Sequence, residues 1–501
     1  MLQVILAGHT LDRELVRALR AGELPAEAEP TPETISAAYA RISRAPEPVP
    51  ELRAQARRDV AAARRSNRTI VFRMGHHSVA EHVLLNFDVL GVSRLALEAL
   101  EDARLCSYTE KSQRYVTFGG EHVVPEEFDA AERERFERAV GEQMAFYRKA
   151  FERLHEWQRR RHPEQLRTKL GQETVEGWAK EDARYALGLA TETQLGFSGN
   201  ARNVEHVIRK LRHHPLAEVR GLSRALFDAA AEVAPSLIIL SDPERFREAF
   251  GREVSDAFLR RGRETIERLG REAMAGVPAA AGTQECPRDG DVTLLDGTPE
   301  PDVAVAAALL HGASGRPWSD CRQRARALGE AGRSALVREA LAELSEFDAV
   351  PREFEHAWFT MEVVLSAACY GQLKRHRMMT FTPQAYDPGL GITVPEAVAE
   401  VGLEGELRGL ADRAADAWAG LASRHPRAAD YVLLNAHRRR VLVTLNLREV
   451  YHVARLRMDR HAQWDIRRVA GSIAALARRA APAAAALACG KDEYAARRTP
   501  G

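Results

Sequence analysis

The amino-acid sequence predicts a tandem duplication: two copies of one domain, each combining short strands with amphipathic helices. Three observations point there. The chain has 501 residues, and at roughly 100–200 residues per domain two or three hydrophobic cores are expected. Its 45% hydrophobic and 29% charged residues are those of an ordinary globular chain, not a disordered one. Finally, a series of short motifs recurs in the same order on either side of a stretch rich in Gly, Pro and Ala.

In the first copy, alternating Leu2, Val4 and Leu6 predict a short strand, and Pro25 to Pro32 a loop. Thr31-Pro32-Glu33 then opens a capped helix through Ile35, Ala38, Tyr39 and Ile42, with the proline in its first turn. A second, charged helix is expected over Glu51 to Arg64. Gly75-His76-His77-Ser78-Val79-Ala80-Glu81-His82 precedes Leu85, Phe87 and Val89, which alternate as a half-buried strand does. Val92 to Leu100 has helical spacing and leads into Asp102-Ala103-Arg104. From Glu126 to about Arg167 high charge density predicts long helices with a solvated face. Asn200-Ala201-Arg202-Asn203-Val204-Glu205-His206 follows, then helices to about Arg268.

Pro278, Gly282, Pro287, Gly290 and Gly297 mark the linker, so domains are expected at 1–275 and 291–501, joined by 276–290. Beyond it the order restarts. Thr298-Pro299-Glu300 answers Thr31-Pro32-Glu33, and Phe354-Glu355-His356 answers Ala80-Glu81-His82. Arg375-His376-Arg377 answers Asp102-Ala103-Arg104, and Asn446 with His452 answers Asn200 with His206. One shared triplet would be coincidence; four in one order argue for duplication, with a unit of roughly 200–250 residues.

A formal net charge of +1 gives no global argument for a nucleic-acid partner, so a phosphate site must be local. No apolar run reaches the roughly 18 residues that span a bilayer, and the start of the chain does not read as a signal peptide, so a cytoplasmic location is expected. The five cysteines form no Cys-x-x-Cys pair, and neither a disulfide framework nor a metal site is expected. The densest local charge is Arg375-His376-Arg377, which suits a bound phosphate or, equally, a helix end whose dipole favours cations.

On these residues the sequence resembles the flavin-dependent thymidylate synthases (ThyX). That family's signature is Arg-His-Arg, seven residues, then Ser, preceded by a Ser-Pro-Phe-Glu-His-like segment and followed by Asn-Ala-Arg. The first copy offers Ser78 to His82, Ser107, Glu110, Ser112, Arg114, Arg184 and Asn200-Ala201-Arg202; the second offers Phe354 to His356, Gln372, Arg375-His376-Arg377, Asn446, Arg448, His452, Arg457 and Ala462-Gln463-Trp464. The resemblance implies an α+β fold in each copy, a mixed sheet covered by long helices, the two forming an internal pseudo-dimer.

Neither copy matches the signature in full. The first has Asp102-Ala103 for Arg-His, Ala99 for the glutamine and Leu211 for the late arginine, with Arg209 or Arg212 as alternatives if the spacing slips. The second has Ala385 for the serine, Asp387 for the arginine two residues on and Asp430 for the arginine before Asn-Ala-Arg. The losses are complementary, and the resemblance implies one composite site per repeat pair.

In that site Glu110, Ser112, Arg114, Arg184, Gln372 and Arg457 hold the nucleotide, with Ser112, Gln372 and Arg457 at the reacting pyrimidine. His76, Ser78, Arg375, His376, Arg377 and His452 hold the FAD. The implied reaction is reductive methylation of dUMP to dTMP, with methylenetetrahydrofolate as carbon donor and NADPH as reductant. The alternative is a catalytically silent or specialised relative that binds flavin or a pyrimidine nucleotide as a sensor, or acts on a modified pyrimidine nucleotide. Since family members are homotetramers, two copies per chain imply a homodimer or a monomeric pseudo-dimer.

Overall fold

The structure is a computed structural model describing residues 2–24, 29–277 and 292–498. The linker at 278–290, with Cys286, and the loop residues Pro25 to Ala28 lie outside the described residues. Two four-stranded sheets are present. In the first, β1 (Gln3–His9), β2 (Leu84–Ser93), β3 (Cys106–Glu110) and β4 (Glu192–Asn200) lie in the order β1-β2-β4-β3. In the second, β5 (Val292–Gly297), β6 (Trp358–Ser366), β7 (Thr380–Pro383) and β8 (Arg438–Asn446) lie in the matching order β5-β6-β8-β7. The repeat seen in the sequence is thus a repeat of topology.

The sheets are antiparallel throughout, not mixed as the resemblance implied. The helical insertions are long enough to return the chain to either end of a sheet, so no parallel crossover is forced. Leu85, Phe87 and Val89 are buried as their alternation predicts, and Phe197 of β4 stacks between Phe87 and Tyr108, at 5.5 and 5.4 Å. In the second sheet Phe359, Met361, Val363 and Leu365 of β6 join Val441, Val443 and Leu445 of β8 in one core with Ile466, Val469 and Ile473 of the helix Trp464–Ala480.

Two expectations change register. The helix predicted over Glu51 to Arg64 is two, Val49–Arg58 and Val60–Asn67, because Asp59 leaves the helical conformation and its carboxylate caps the second at Ala62 N–H. The structural counterpart of Thr298 is Thr10, not Thr31. Each of these threonines accepts through Oγ1 from the first N–H of the central strand, at Leu84 or Trp358. Pro301-Asp302 instead matches Pro32-Glu33, since Asp302 receives Ala483 and Ala484 N–H as Glu33 receives Ser236 N–H.

The other matches hold. Asn200 and Asn446 each cap the helix they open, and the pairs Arg202–Glu81 and Arg448–Glu355 recur at equivalent places.

The chain forms two compact units, each discontinuous in sequence. One comprises Met1–Glu142, Gly188–Pro278 and Asp416–Val432; the other Gln143–Leu187, Ala279–Ala415 and Leu433–Gly501. Each unit therefore contains a segment from the opposite copy. Among the described residues no helix is long and apolar enough to cross a membrane.

Candidate functional site

Strand register fixes which residues of the copies correspond. Ser107 pairs with Ser198 as Thr380 pairs with Thr444, and Ser93 and Ser366 each cap the following short helix. Counting from these anchors sets Asp102-Ala103-Arg104 against Arg375-His376-Arg377, and Ser112 and Arg114 against Ala385 and Asp387. The helices Ala201–Arg212 and Leu447–Arg457 run without interruption from their asparagine caps, so Leu211 stands where Arg457 does. Arg209 and Arg212 do not replace it: Arg209 pairs with Asp256 at 2.6 Å, and Arg212 donates to the Ser241 carbonyl.

In the first unit the β3 strand ends at Glu110, whose carboxylate lies 3.4 Å from the Arg94 guanidinium. The chain then turns, and Ser112 Oγ accepts from the Arg114 N–H at 3.2 Å. Arg114 is half-buried beside the Tyr115 ring. His76 and Ser78 sit on an exposed segment that leads into the 3₁₀ turn His77–His82. Tyr431 and Asp430, carried here from the second copy, complete a buried cluster in which Tyr431 donates to Glu218 and Glu218 receives the Ser93 N–H and hydroxyl, each at 2.6 Å.

The second unit holds most of the residues singled out from the sequence. Arg184 comes from the first copy; Gln372, Arg375, His376, Arg377, His452 and Arg457 come from the second. The Arg184 carbonyl accepts from Asn435 Nδ2 at 3.0 Å, and Ala436 N–H bonds to the Tyr185 carbonyl, which pins the imported segment to the loop before β8.

Of the Arg-His-Arg triplet, Arg375 is exposed and Arg377 half-buried, while His376 turns inward and is 2% exposed. Its Nε2 accepts from Arg457 Nε at 2.9 Å, and Arg457 also donates to the Gln372 carbonyl at 3.3 Å. Burial, and then the Arg457 charge, push His376 down to about 3, so the ring is neutral. His376 therefore acts on any ligand through Arg457.

His376, Glu449 and His452 stand close enough to share a cation. Because Arg457 occupies Nε2, however, the neutral ring carries its proton on Nδ1, which faces Glu449 Oε1 at 3.5 Å. A metal at Nδ1 would require Arg457 to leave.

Beside this cluster runs a second network that the sequence reading did not assign. Ser366 Oγ and Tyr185 O–H donate to Asp465 Oδ2 at 2.7 and 2.9 Å, and Arg468 donates to Oδ1 at 2.8 Å. Gln463 Nε2 donates to the Tyr185 hydroxyl oxygen at 3.0 Å, and Gln372 Nε2 to Gln463 Oε1 at 3.1 Å. Trp464 Nε1 donates to Asp182, whose carboxyl burial pushes up to about 7. The Ala462-Gln463-Trp464 motif was the available sequence signal, but it gave no hint that Tyr185 is the partner. The Cys369 thiol is pushed well above its usual range by burial and then by Asp465, with Arg468, Arg184 and Arg457 opposing, so it is a packed side chain and not a nucleophile.

Residue by residue, the first unit lacks these polar groups. Ala99 stands for Gln372, Leu216 for Gln463, Ala217 for Trp464, Ala103 for His376, Leu211 for Arg457 and Ala428 for Asp182. Only the Tyr–carboxylate–Ser anchor persists in both, as Tyr431–Glu218–Ser93 and Tyr185–Asp465–Ser366.

Fold and site define a duplicated α+β protein with an arginine-rich polar site developed in one unit. Residues 26–236 and 293–483 each match the sequence profile of Thy1, the thymidylate synthase complementing protein family, and the chain belongs to that family. Among its relatives, a UPF0159 protein of Chlamydia muridarum is 25% identical over 415 residues, covering 80% of this chain and 76% of that one. A flavin-dependent thymidylate synthase of Geobacter sulfurreducens is 31% identical over 215 residues, 42% of this chain and 81% of that one. One copy of the repeat thus corresponds to most of a single-copy relative. A solved structure, the UMP/dUMP methylase PolB from Streptomyces cacaoi bound with 5-Br dUMP, is 19% identical with a TM-score of 0.35, covering 51% of this chain and 98% of that chain.

Proposed function

We propose that this chain is a flavin-dependent thymidylate synthase that reductively methylates dUMP to dTMP at one site per chain, furnished by residues of both copies. One observation carries the reading: Arg184 of the first copy shares a unit with Gln372, Arg457 and the Arg375–Arg377 cluster of the second, while the corresponding positions of the other unit hold Asp430, Ala99, Leu211 and Asp102. The family membership and the flavin-dependent relatives supply the reaction class.

In this reading Arg114 and Arg184 take the nucleotide phosphate by paired, charge-assisted hydrogen bonds, with Ser112 and Glu110 orienting it. Gln372 and Arg457 meet the pyrimidine. The exposed Arg375 and half-buried Arg377 fit a flavin's pyrophosphate and ring edge, with His76, Ser78 and His452 as further contacts. Bound FAD, reduced by NADPH, would supply the hydride that completes the methyl group delivered from methylenetetrahydrofolate. The chain's own residues contribute positioning and electrostatics, and no nucleophilic thiol is needed. Two copies per chain fit a homodimer, which light scattering would report.

The test is direct. Purified protein should be yellow and should release tritium from dUMP labelled at C5 when given NADPH and methylenetetrahydrofolate. A colourless protein that binds no nucleotide would sink the proposal. Yellow, nucleotide-binding protein that releases no tritium would favour the second reading, a binding relative, for which Asp430, Ala385 and Asp387 in the second copy are the motive.

A further inference from the structure

We infer that Gln463, anchored by Tyr185 and Asp465, is a positioning residue that turns the Gln372 amide so that its carbonyl oxygen faces the ligand, making Gln372 a reader of a uracil N3–H and a discriminator against cytosine. This rests on the proposal that Gln372 and Arg457 meet a pyrimidine nucleotide. It adds the direction of the hydrogen-bond chain, which decides what Gln372 can recognise.

Amide orientation is set by the network an amide belongs to. Here the direction follows from the buried end. Ser366 Oγ accepts from Cys369 N–H at 2.9 Å, so its own hydrogen goes to Asp465, which Arg468 also fills with a donor. The Tyr185 hydroxyl therefore donates to Asp465 as well, leaving its oxygen as the acceptor for Gln463 Nε2. Gln463 Oε1 then faces two donors, Gln372 Nε2 at 3.1 Å and the Ile466 N–H at 3.4 Å. Each step fixes the next. Gln463, Tyr185 and Asp465 are fully buried, so no water can substitute for a member. Gln372, half-buried, is the outer end: its nitrogen points inward and its carbonyl is the group left to a ligand.

Arg457 lies beside it, held to the Gln372 backbone carbonyl. An acceptor next to a guanidinium complements the N3–H and adjoining carbonyl of uracil. Cytosine places a lone pair at N3, opposite the Gln372 oxygen, and a site built for a donor rejects a ligand lacking it.

The duplicated unit separates structural from positioning roles. Tyr431–Glu218–Ser93 keeps the anchor, yet Leu216 and Ala99 stand where Gln463 and Gln372 would be. The anchor stabilises the fold in both units, and the two glutamines extend it to a ligand in one.

The experiment titrates dUMP and dCMP by calorimetry into the full chain, Tyr185→Phe, Gln463→Leu and Tyr431→Phe, with a thermal midpoint for each. Wild type should prefer dUMP by about tenfold or more. Tyr185→Phe and Gln463→Leu should bring the preference to within about threefold by weakening dUMP alone, because a mis-set Gln372 loses the donor–acceptor match. Tyr431→Phe makes the same chemical change where no glutamines follow, so it should lower the midpoint comparably and keep the preference. If Gln463→Leu fails to fold, the isosteric Tyr185→Phe carries the test. Equal wild-type affinity for dUMP and dCMP, or a preference that Tyr185→Phe and Tyr431→Phe change alike, would overturn the inference while leaving the thymidylate synthase reading intact. A wild-type chain that binds neither nucleotide overturns both.

Discussion

Arg457→Leu is the most informative single change, because it installs the residue that the other copy already carries at Leu211 and so is compatible with the helix. Two contacts are lost, the 2.9 Å bond to His376 Nε2 and the 3.3 Å bond to the Gln372 carbonyl. Leaving a buried acceptor unpaired costs about 1–3 kcal/mol, partly offset by the leucine's own burial, so a net loss of about 1–2 kcal/mol is expected. His376 introduces no further penalty. Removing the guanidinium relieves the smaller cause of its lowered pKa, but burial, the larger, still keeps the ring neutral near pH 7. Binding should respond much more strongly, since a hydrogen bond from a charged group is worth about 1.5–3 kcal/mol, or about 10- to 150-fold in Kd for dUMP. Calorimetric titration and a denaturant midpoint on the same preparation separate the two effects. An unchanged Kd would refute Arg457 as a ligand residue, and a stability loss above about 4 kcal/mol would recast it as a structural pillar.

Arg114→Ala should abolish nucleotide binding, whereas Ala385→Ser should change turnover little; a large gain from Ala385→Ser would show that the site lies in the other half of the duplication. Titration should find equimolar nucleotide per chain, and twice that amount would contradict a single site. Arg377→Ala should weaken flavin retention, read from the visible absorbance after dialysis, with nucleotide affinity preserved. Asp182 has a pKa raised to about 7, chiefly by burial, against an ordinary 3.8. Its contribution to stability is therefore present at low pH and lost as pH rises through 7, about 1.4 kcal/mol between pH 6 and 8. Asp182→Asn should flatten that slope in urea midpoints, and an equal slope in both proteins would count against the assignment.

The repeat was legible in the sequence because motif order survives divergence, and the strands because alternation reports a half-buried face. Leu85, Phe87 and Val89 needed only that rule. The Thr298 match failed because a three-residue identity carries no information on register; the hydrogen bonds of Thr10 and Thr298 do. The break at Asp59 was missed because the surrounding charge pattern is helical, and only the side-chain cap shows that one helix has become two.

For the site, the sequence alone determined which chemistry is present: guanidinium groups and a histidine in the second copy, a serine, a glutamate and two arginines in the first, with losses that complement one another. Tertiary structure decided how those groups are used. It placed Arg184 in the same unit as Gln372 and Arg457, turned His376 from the surface to the back of Arg457, and joined Gln372 to Asp465 through Gln463 and Tyr185. The reason is physical. Residue type fixes how many hydrogen bonds a group can give or take, but the direction of a buried chain is set by its innermost member, and Tyr185 and Asp465, which lie far apart in the sequence, meet only in the folded protein.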